Sequence, residues 1–239
     1  MYNIKKVRRK AFWKILKPHG INPGETLVSG CLLAIVGGFL DIYTYRVRGG
    51  VFANAQTGNI VLMAASIGEG IPIKFIHYVL PISAFILGVF ATEVIRHKTN
   101  GEQFIHWRQL ILLLEILLLF GIGFLPSGSL DPEVNIAVSF VCSLQVSAFR
   151  KLHGLTYATT MCTGNLRTGT EEAYHFLTKN NREAGKKALL YFLVIFMFIM
   201  GVILGIYSIL LLQERAVWVC CILLFAVFLW MFQKIQTIK

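Results

Sequence analysis

Charge is scarce in this chain: only 15% of its 239 residues are Asp, Glu, Lys or Arg, while 56% are hydrophobic. A soluble domain could not hide that much apolar surface, so the shortage of charge excludes one and implies a polytopic membrane protein. Cysteines are few and unpatterned. Cys31, Cys142, Cys162, Cys220 and Cys221 are odd in number, form no CxxC, and four lie in apolar runs. That excludes a disulfide framework or a zinc site and leaves small buried side chains. No His/Cys/Asp cluster has metal spacing, no glycine-rich loop has a phosphate-binding pattern, and no nucleophile stands beside a base. Catalytic residues, metals and cofactors are therefore all expected to be absent. The N-terminal stretch also lacks the short apolar core and small-residue cleavage site of a signal peptide.

The net charge of +11 does not point to nucleic acid. Lys5, Lys6, Arg8, Arg9, Lys10, Lys14 and Lys17 all precede the first apolar run, where a cytoplasmic flank beside anionic lipid accounts for them. Val7, Phe12, Ile15 and Leu16 interleave with them, which suits either an interfacial helix or a solvated tail. The chain divides into this basic cytoplasmic segment, 1–26, and one membrane domain, 27–239.

Six apolar segments suffice, or nearly so, to span a bilayer: 27–45, 75–95, 109–125, 133–149, 188–212 and 216–232. Charges between them set the topology. Arg96, His97, Lys98, Glu102, His106 and Arg108 separate the second and third. Asp131 and Glu133, with no Lys or Arg, separate the third and fourth. Arg150, Lys151, Arg167, Lys179, Arg182, Lys186 and Lys187 follow the fourth. Six spans with both termini cytoplasmic, helped by Lys234 and Lys239, keep every strongly basic segment inside except Arg46/Arg48; eight spans would place the 96–108 loop outside.

The chain also repeats. DIYTYRVRGG (41–50) aligns with QVSAFRKLHG (145–154), and Thr57-Gly58-Asn59 then matches Thr163-Gly164-Asn165. Each half, 27–125 and 133–233, reads as span, TGN stretch, span, span. Three crossings per half invert the second copy, so the expected fold is all-α: six transmembrane helices as a 3+3 inverted repeat with two TGN re-entrant or broken-helix segments. Irregular backbone at membrane depth is tolerated only where protein or a water-filled cavity satisfies it. Gly58 and Gly164 permit a tight turn or close helix approach, and Thr57 and Thr163 can cap a helix starting there. Asn59 and Asn165 either meet a permeating solute or lock helices together. The two asparagines are expected to lie near each other at the middle of the membrane.

At these residues, GGFLDIYTYRVRGGVFANAQTGNIVLMAAS (37–66) and SLQVSAFRKLHGLTYATTMCTGNLRTG (143–169), the chain resembles the YoaK family of bacterial membrane proteins, a group carried under a domain of unknown function. The resemblance covers essentially 26–232. It implies a multi-pass protein of the bacterial inner membrane and supplies no activity or cofactor. A Gly-Met-Gln run usual in the second repeat is here Cys142-Ser143-Leu144-Gln145.

Of the acids in apolar segments, Glu93 stands near the cytoplasmic end of the second and reads as a structural partner of Arg96 or Lys98, which leaves Asp41 and Glu115. Asp41 either binds a cation or carries a proton, or pairs at the interface with Arg46 or Arg48; its repeat equivalent, Gln145, cannot titrate. Glu115, about 10 Å deep from Arg108 at 1.5 Å per residue, is either protonated or paired inside the bundle. Inverted repeats with broken helices place solute sites near the midplane, so the expected function is a channel or secondary transporter for a small solute or ion. Asp41, Thr57, Gly58, Asn59, Gln145, Thr163, Gly164 and Asn165 are the binding or pore-lining candidates, and Asp41 and Glu115 the coupling groups. The partners expected are the bilayer and that solute, with self-association left open. A membrane-embedded scaffold or sensor is the alternative, ahead of an enzyme built on Cys162, His153 and Glu171.

Overall fold

The computed structural model describes residues 22–70, 72–99 and 105–235, without the side chains of 72–74 and 233–235. Lys5 to Lys17, Glu102 and Lys239 lie outside these residues. The described chain is almost entirely helical: α1 (Leu27–Val47), α2 (Gln56–Gly68), α3 (Pro72–Lys98), α4 (Trp107–Ile122), α5 (Asp131–Ala148), α6 (Cys162–Lys179), α7 (Arg182–Leu212) and α8 (Trp218–Ile235). A two-strand hairpin, β1 (Lys151–Leu152) with β2 (Leu155–Thr156), follows α5.

Local chemistry explains several boundaries. Gly49 and Gly50, with φ of +81° and +76°, turn the chain after α1, and Gly154 at +82° turns the hairpin. Only glycine enters that region freely, and Gly50 and Gly154 are the residues aligned between the two halves. At α4 a capping box forms, His106 accepting from Arg108 N and Gln109 accepting from His106 N. Asn181 caps α7 by accepting from Glu183 N at 3.1 Å and Ala184 N at 3.3 Å. That cap starts the helix six residues before the expected apolar span, because the charged first turns carry a polar continuation beyond it. Hydropathy alone could not mark this start.

Three stretches are long and apolar enough to cross a membrane: Leu27–Val47, Phe75–Lys98 and Arg182–Phe232. The last holds α7 and α8, broken by a 3₁₀ turn at Gln213–Val217. Helices α4 and α5 do not meet that measure.

Contacts fix the direction of each helix. Tyr43 near the end of α1 donates to Glu214 O, while Trp230 near the end of α8 donates to Thr26 Oγ1. Helix α8 therefore runs back along α1, and both described termini share one end of the bundle. At that end Arg108 of α4 donates to Ala148 O and pairs with Glu25 at 3.0 Å. Also there, Glu93 of α3 pairs with Arg150 at 2.8 Å and Arg96 at 3.4 Å. At the opposite end Arg48, Leu125, Pro126 and Asp131 meet. Helices α1, α4 and α7 run away from the termini; α3, α5 and α8 run toward them.

The core is assembled by two close parallel pairs. Helix α1 packs on α7 with Gly38 against the Phe198 carbonyl and Gly201 against Ile35 backbone. Helix α3 packs on α5 with Gly88 against Ser143 and Phe140 O. Small residues let the backbones approach where side chains could not. Beyond these, α2 lies on α3, α6 on α7, α8 on α1, α5 on α4, and α4 on α8. Buried Leu, Ile, Val and Phe side chains, including Leu33, Phe39, Ile111, Leu144 and Leu224, fill the middle.

Candidate functional site

Two descending segments interrupt the bundle. After the Gly49-Gly50 turn, residues 51–55 run inward, and Ala53 N donates to Thr44 Oγ1 of α1 at 3.4 Å. Helix α2 then starts beside the middle of α5, where Gln56 Nε2 donates to Ser139 Oγ at 2.6 Å and to Ala53 O at 2.9 Å. From there α2 returns toward the end it came from, since α3 begins there. The second segment enters from the termini end. Thr159 lies against α1 at its midpoint, its carbonyl 2.7 Å from where a Cβ on Gly37 would sit. Gln145 Nε2 holds it there through Thr159 Oγ1 at 2.9 Å and Leu33 O at 3.1 Å. Helix α6 starts three residues later and runs back to α7.

The starts of α2 and α6 line one cavity of about 630 Å³. Asp41 of α1, Asn54, Gln56 and Thr57 line it from the first segment, and residues from Thr160 to Asn165 from the second, with Tyr191 and Phe198 of α7 closing a side. Neither helix has a side-chain cap: Ala55 and Met161 occupy the cap positions. The first N–H groups of each therefore lack intrahelical acceptors and sit at the positive end of a helix dipole. Asp41 Oδ1, both amide atoms of Asn54 and Thr160 Oγ1 are buried with no hydrogen-bond partner. Asn54 is 1% exposed. Unsatisfied buried polar groups are rare in folded proteins, so such a cluster around one cavity calls for an occupant.

The family model described as "Protein of unknown function (DUF1275)" matches residues 29–230. The chain belongs to the DUF1275 family. It is 27% identical over 185 residues to "UPF0700 transmembrane protein YoaK" of Bacillus subtilis (strain 168), covering 75% of this chain and 81% of that protein. No solved structure matches. With its three long apolar stretches, this DUF1275 member is a multi-pass membrane protein.

Of the residues singled out in the DUF1275 sequence, Asp41, Thr57, Thr163, Gly164 and Asn165 line the cavity, whereas Gly58, Asn59, Gln145 and Glu115 do not. The asparagines are occupied locally. Asn165 clamps Ala158, accepting from its N at 3.2 Å and donating to its O at 2.7 Å, and Asn59 donates to Gln56 Oε1 at 3.1 Å. Gln145 is a strut between α1 and the second segment. Glu115 is fully buried on α4, with neither carboxyl oxygen bonded, which removes the paired alternative among the described residues. Asp41 does not take Arg48, which pairs instead with Asp131 at 3.4 Å. The helices start at Gln56 and Cys162, so Thr57 and Thr163 stand inside the first turn and are not caps. Asn54, Thr160 and Tyr157 were not anticipated. Their one sequence signal is position, just before each helix start.

Gly58 and Gly164 need neither a turn nor a close approach. A Cβ on either would meet nothing within 4 Å, and neither has positive φ. Gly58→Ala and Gly164→Ala should therefore leave the thermal midpoint in detergent unchanged or slightly raised, since alanine gains up to about 1 kcal/mol over glycine in a helix interior and less in the first turn, where both stand. A clear loss of stability would show that these glycines are packing elements.

Proposed function

We propose that this protein passes a small polar solute or ion across the bacterial inner membrane, as a channel or secondary transporter, through the cavity between α2 and α6. The carrying observation is the convergence of two uncapped helix starts, entering from opposite ends of the bundle, on one cavity that also holds Asp41. Half-helices aimed at a shared central site are the arrangement by which inverted-repeat transporters hold solute and coupling ion. In this reading α1, α3, α4, α5, α7 and α8 are six spans, and α2 and α6 are re-entrant.

The inverted 3+3 arrangement is supported by the packing. Exchanging α1 to α4 with α5 to α8 turns the α1–α7 contact into α5–α3, α2–α3 into α6–α7, and α1–α8 into α5–α4, and leaves α4–α8 as itself. Every one of those contacts is present. Of the two coupling candidates, Asp41 is the one in the cavity.

Purified protein in proteoliposomes should carry a panel of labelled small solutes and ions unequally, and Asp41→Asn should reduce flux of the carried solute by at least roughly tenfold, the effect of losing one charge-assisted contact. Flux that survives Asp41→Asn and a bulky Thr163→Leu together would refute passage through this cavity.

The termini end bears Arg96, Lys98, Arg108, Arg150, Lys151, Lys179, Arg182, Lys186 and Lys187, so it is assigned to the cytoplasm. Single cysteines in a background lacking the native ones test this. An impermeant thiol reagent applied to intact cells should label Ser129→Cys and spare Thr99→Cys. The reverse pattern would overturn the orientation.

A further inference from the structure

Resting on the transport reading, we propose that the cavity recognises a small zwitterion, a solute with an ammonium group at one end and a carboxylate at the other, as in a small amino acid. The argument is a comparison of charges. Asp41 is the one acidic side chain among the described residues lining the cavity, and no Lys, Arg or His accompanies it there. Opposed to it are the starts of α2 and α6, each the equivalent of about half a positive charge, with free N–H groups and no side chain covering them.

Each simpler occupant fails on one of these features. A bare cation satisfies Asp41 but faces two helix ends that repel it. A bare anion suits the helix ends but sits beside Asp41 with no basic side chain to offset it. An apolar solute leaves Asn54 and Thr160 unsatisfied. A zwitterion uses both poles. Asn54, buried next to Asp41 with its amide within reach of that carboxyl, can accept from a solute's ammonium or donate to its carboxylate. The helix starts supply main-chain N–H groups to the carboxylate. The hydroxyls of Thr57, Thr160 and Thr163 add neutral hydrogen bonding around it without adding charge. A volume of about 630 Å³ lies within the usual range of small-molecule pockets and accommodates such a solute with some water.

The test separates the poles. Full-length protein in detergent is melted with each of glycine, alanine, serine and proline, and with the two halves of alanine, ethylammonium and propionate. The same compounds, labelled, are offered to proteoliposomes. At least one amino acid should raise the melting midpoint and enter the vesicles, with ethylammonium and propionate at least roughly tenfold weaker. Asp41→Asn and, separately, Asn54→Ala should remove the stabilisation. Each variant's ligand-free melting curve is measured alongside, so that a folding defect in one leaves the other to decide. Binding of ethylammonium or propionate as tight as that of the amino acids would overturn the zwitterion, as would the absence of any amino-acid effect. If one half-molecule, or an inorganic ion, still crosses by an Asp41-dependent path, transport stands and only the solute class falls. If nothing crosses, both fall.

Discussion

Arg48→Met is expected to cost about 3–5 kcal/mol of stability, the usual penalty for removing one partner of a buried, hydrogen-bonded charge. Arg48 is wholly buried near the end of the bundle away from the termini. Its guanidinium donates to Tyr43 Oη at 2.8 and 3.1 Å, Leu125 O at 2.8 Å and Pro126 O at 2.9 Å. It also reaches Ile122 O and Asp131 Oδ1, both at 3.4 Å. One side chain thus bonds two carbonyls of the turn that follows α4, those of Leu125 and Pro126, and holds that turn against α1 and α5. Asn135 of α5 donates to Arg48 O at 2.8 Å, tying the backbone into the same knot. Methionine fills the volume but takes the donor away from the Leu125 and Pro126 carbonyls and from the Asp131 carboxylate, while Ile122 O keeps Leu125 N. Lysine does not restore the site, because a compact ammonium cannot reproduce the planar fork of donors. The measurement is the thermal midpoint in detergent with gel filtration to follow the folded fraction. A midpoint within a degree or two of the parent for Arg48→Met would show that the network adds nothing. The functional consequence lies one turn away: the Gly49-Gly50 turn and the segment carrying Asn54 and Gln56 start from this anchor, so loosening it should also lower solute flux.

Gly38→Leu and Gly201→Leu should each disrupt the α1–α7 contact, with a loss of about 3 kcal/mol or more. Overpacking commonly costs 1–3 kcal/mol, and here the obstacle is backbone, which cannot rotate aside. A Cβ on Gly38 would overlap the Phe198 carbonyl, and one on Gly201 the backbone of Ile35, so even alanine forces the helices apart. The cavity shares this wall, since Asp41 is three residues from Gly38 and Phe198 lines it. Separation of the helices therefore moves Asp41 relative to the start of α6 as well. The check is the melting midpoint of Gly38→Leu and Gly201→Leu, and of Gly38→Ala, Gly201→Ala and the double alanine variant. The double should cost less than the sum of the singles, because the first spacer already opens the gap. Full additivity would mean that the two glycines do not report on one close contact. Set beside the tolerance expected at Gly58 and Gly164, this divides the glycines into those that bring backbones together and those that do not.

The sequence by itself determined the membrane class, the helical fold and the places where the regular pattern breaks. Low charge and long apolar runs can be satisfied only in lipid, and TGN recurs after the first apolar segment of each half regardless of any partner. It also marked Asp41, because a carboxyl in an apolar run is costly wherever it points. The tertiary structure alone decided the partners. By sequence Arg48 is one of two possible interfacial partners of Asp41, yet it turns to carbonyls of the turn after α4 and to Asp131, far away in the chain. Asn59 and Asn165 read as either solute contacts or helix locks; each closes a hydrogen bond to a residue three or seven positions before it, and Asn165 also lines the cavity. Nothing in the sequence beyond position marks Asn54 or Thr160, and only the meeting of two segments from opposite ends leaves them facing one cavity. Hydropathy and spacing are properties of a segment, and a segment carries them before it folds. Which donor meets which acceptor, and which polar group is left without one, depends on where distant segments cross, and that is set by glycines at the helix contacts whose neighbours no local pattern names.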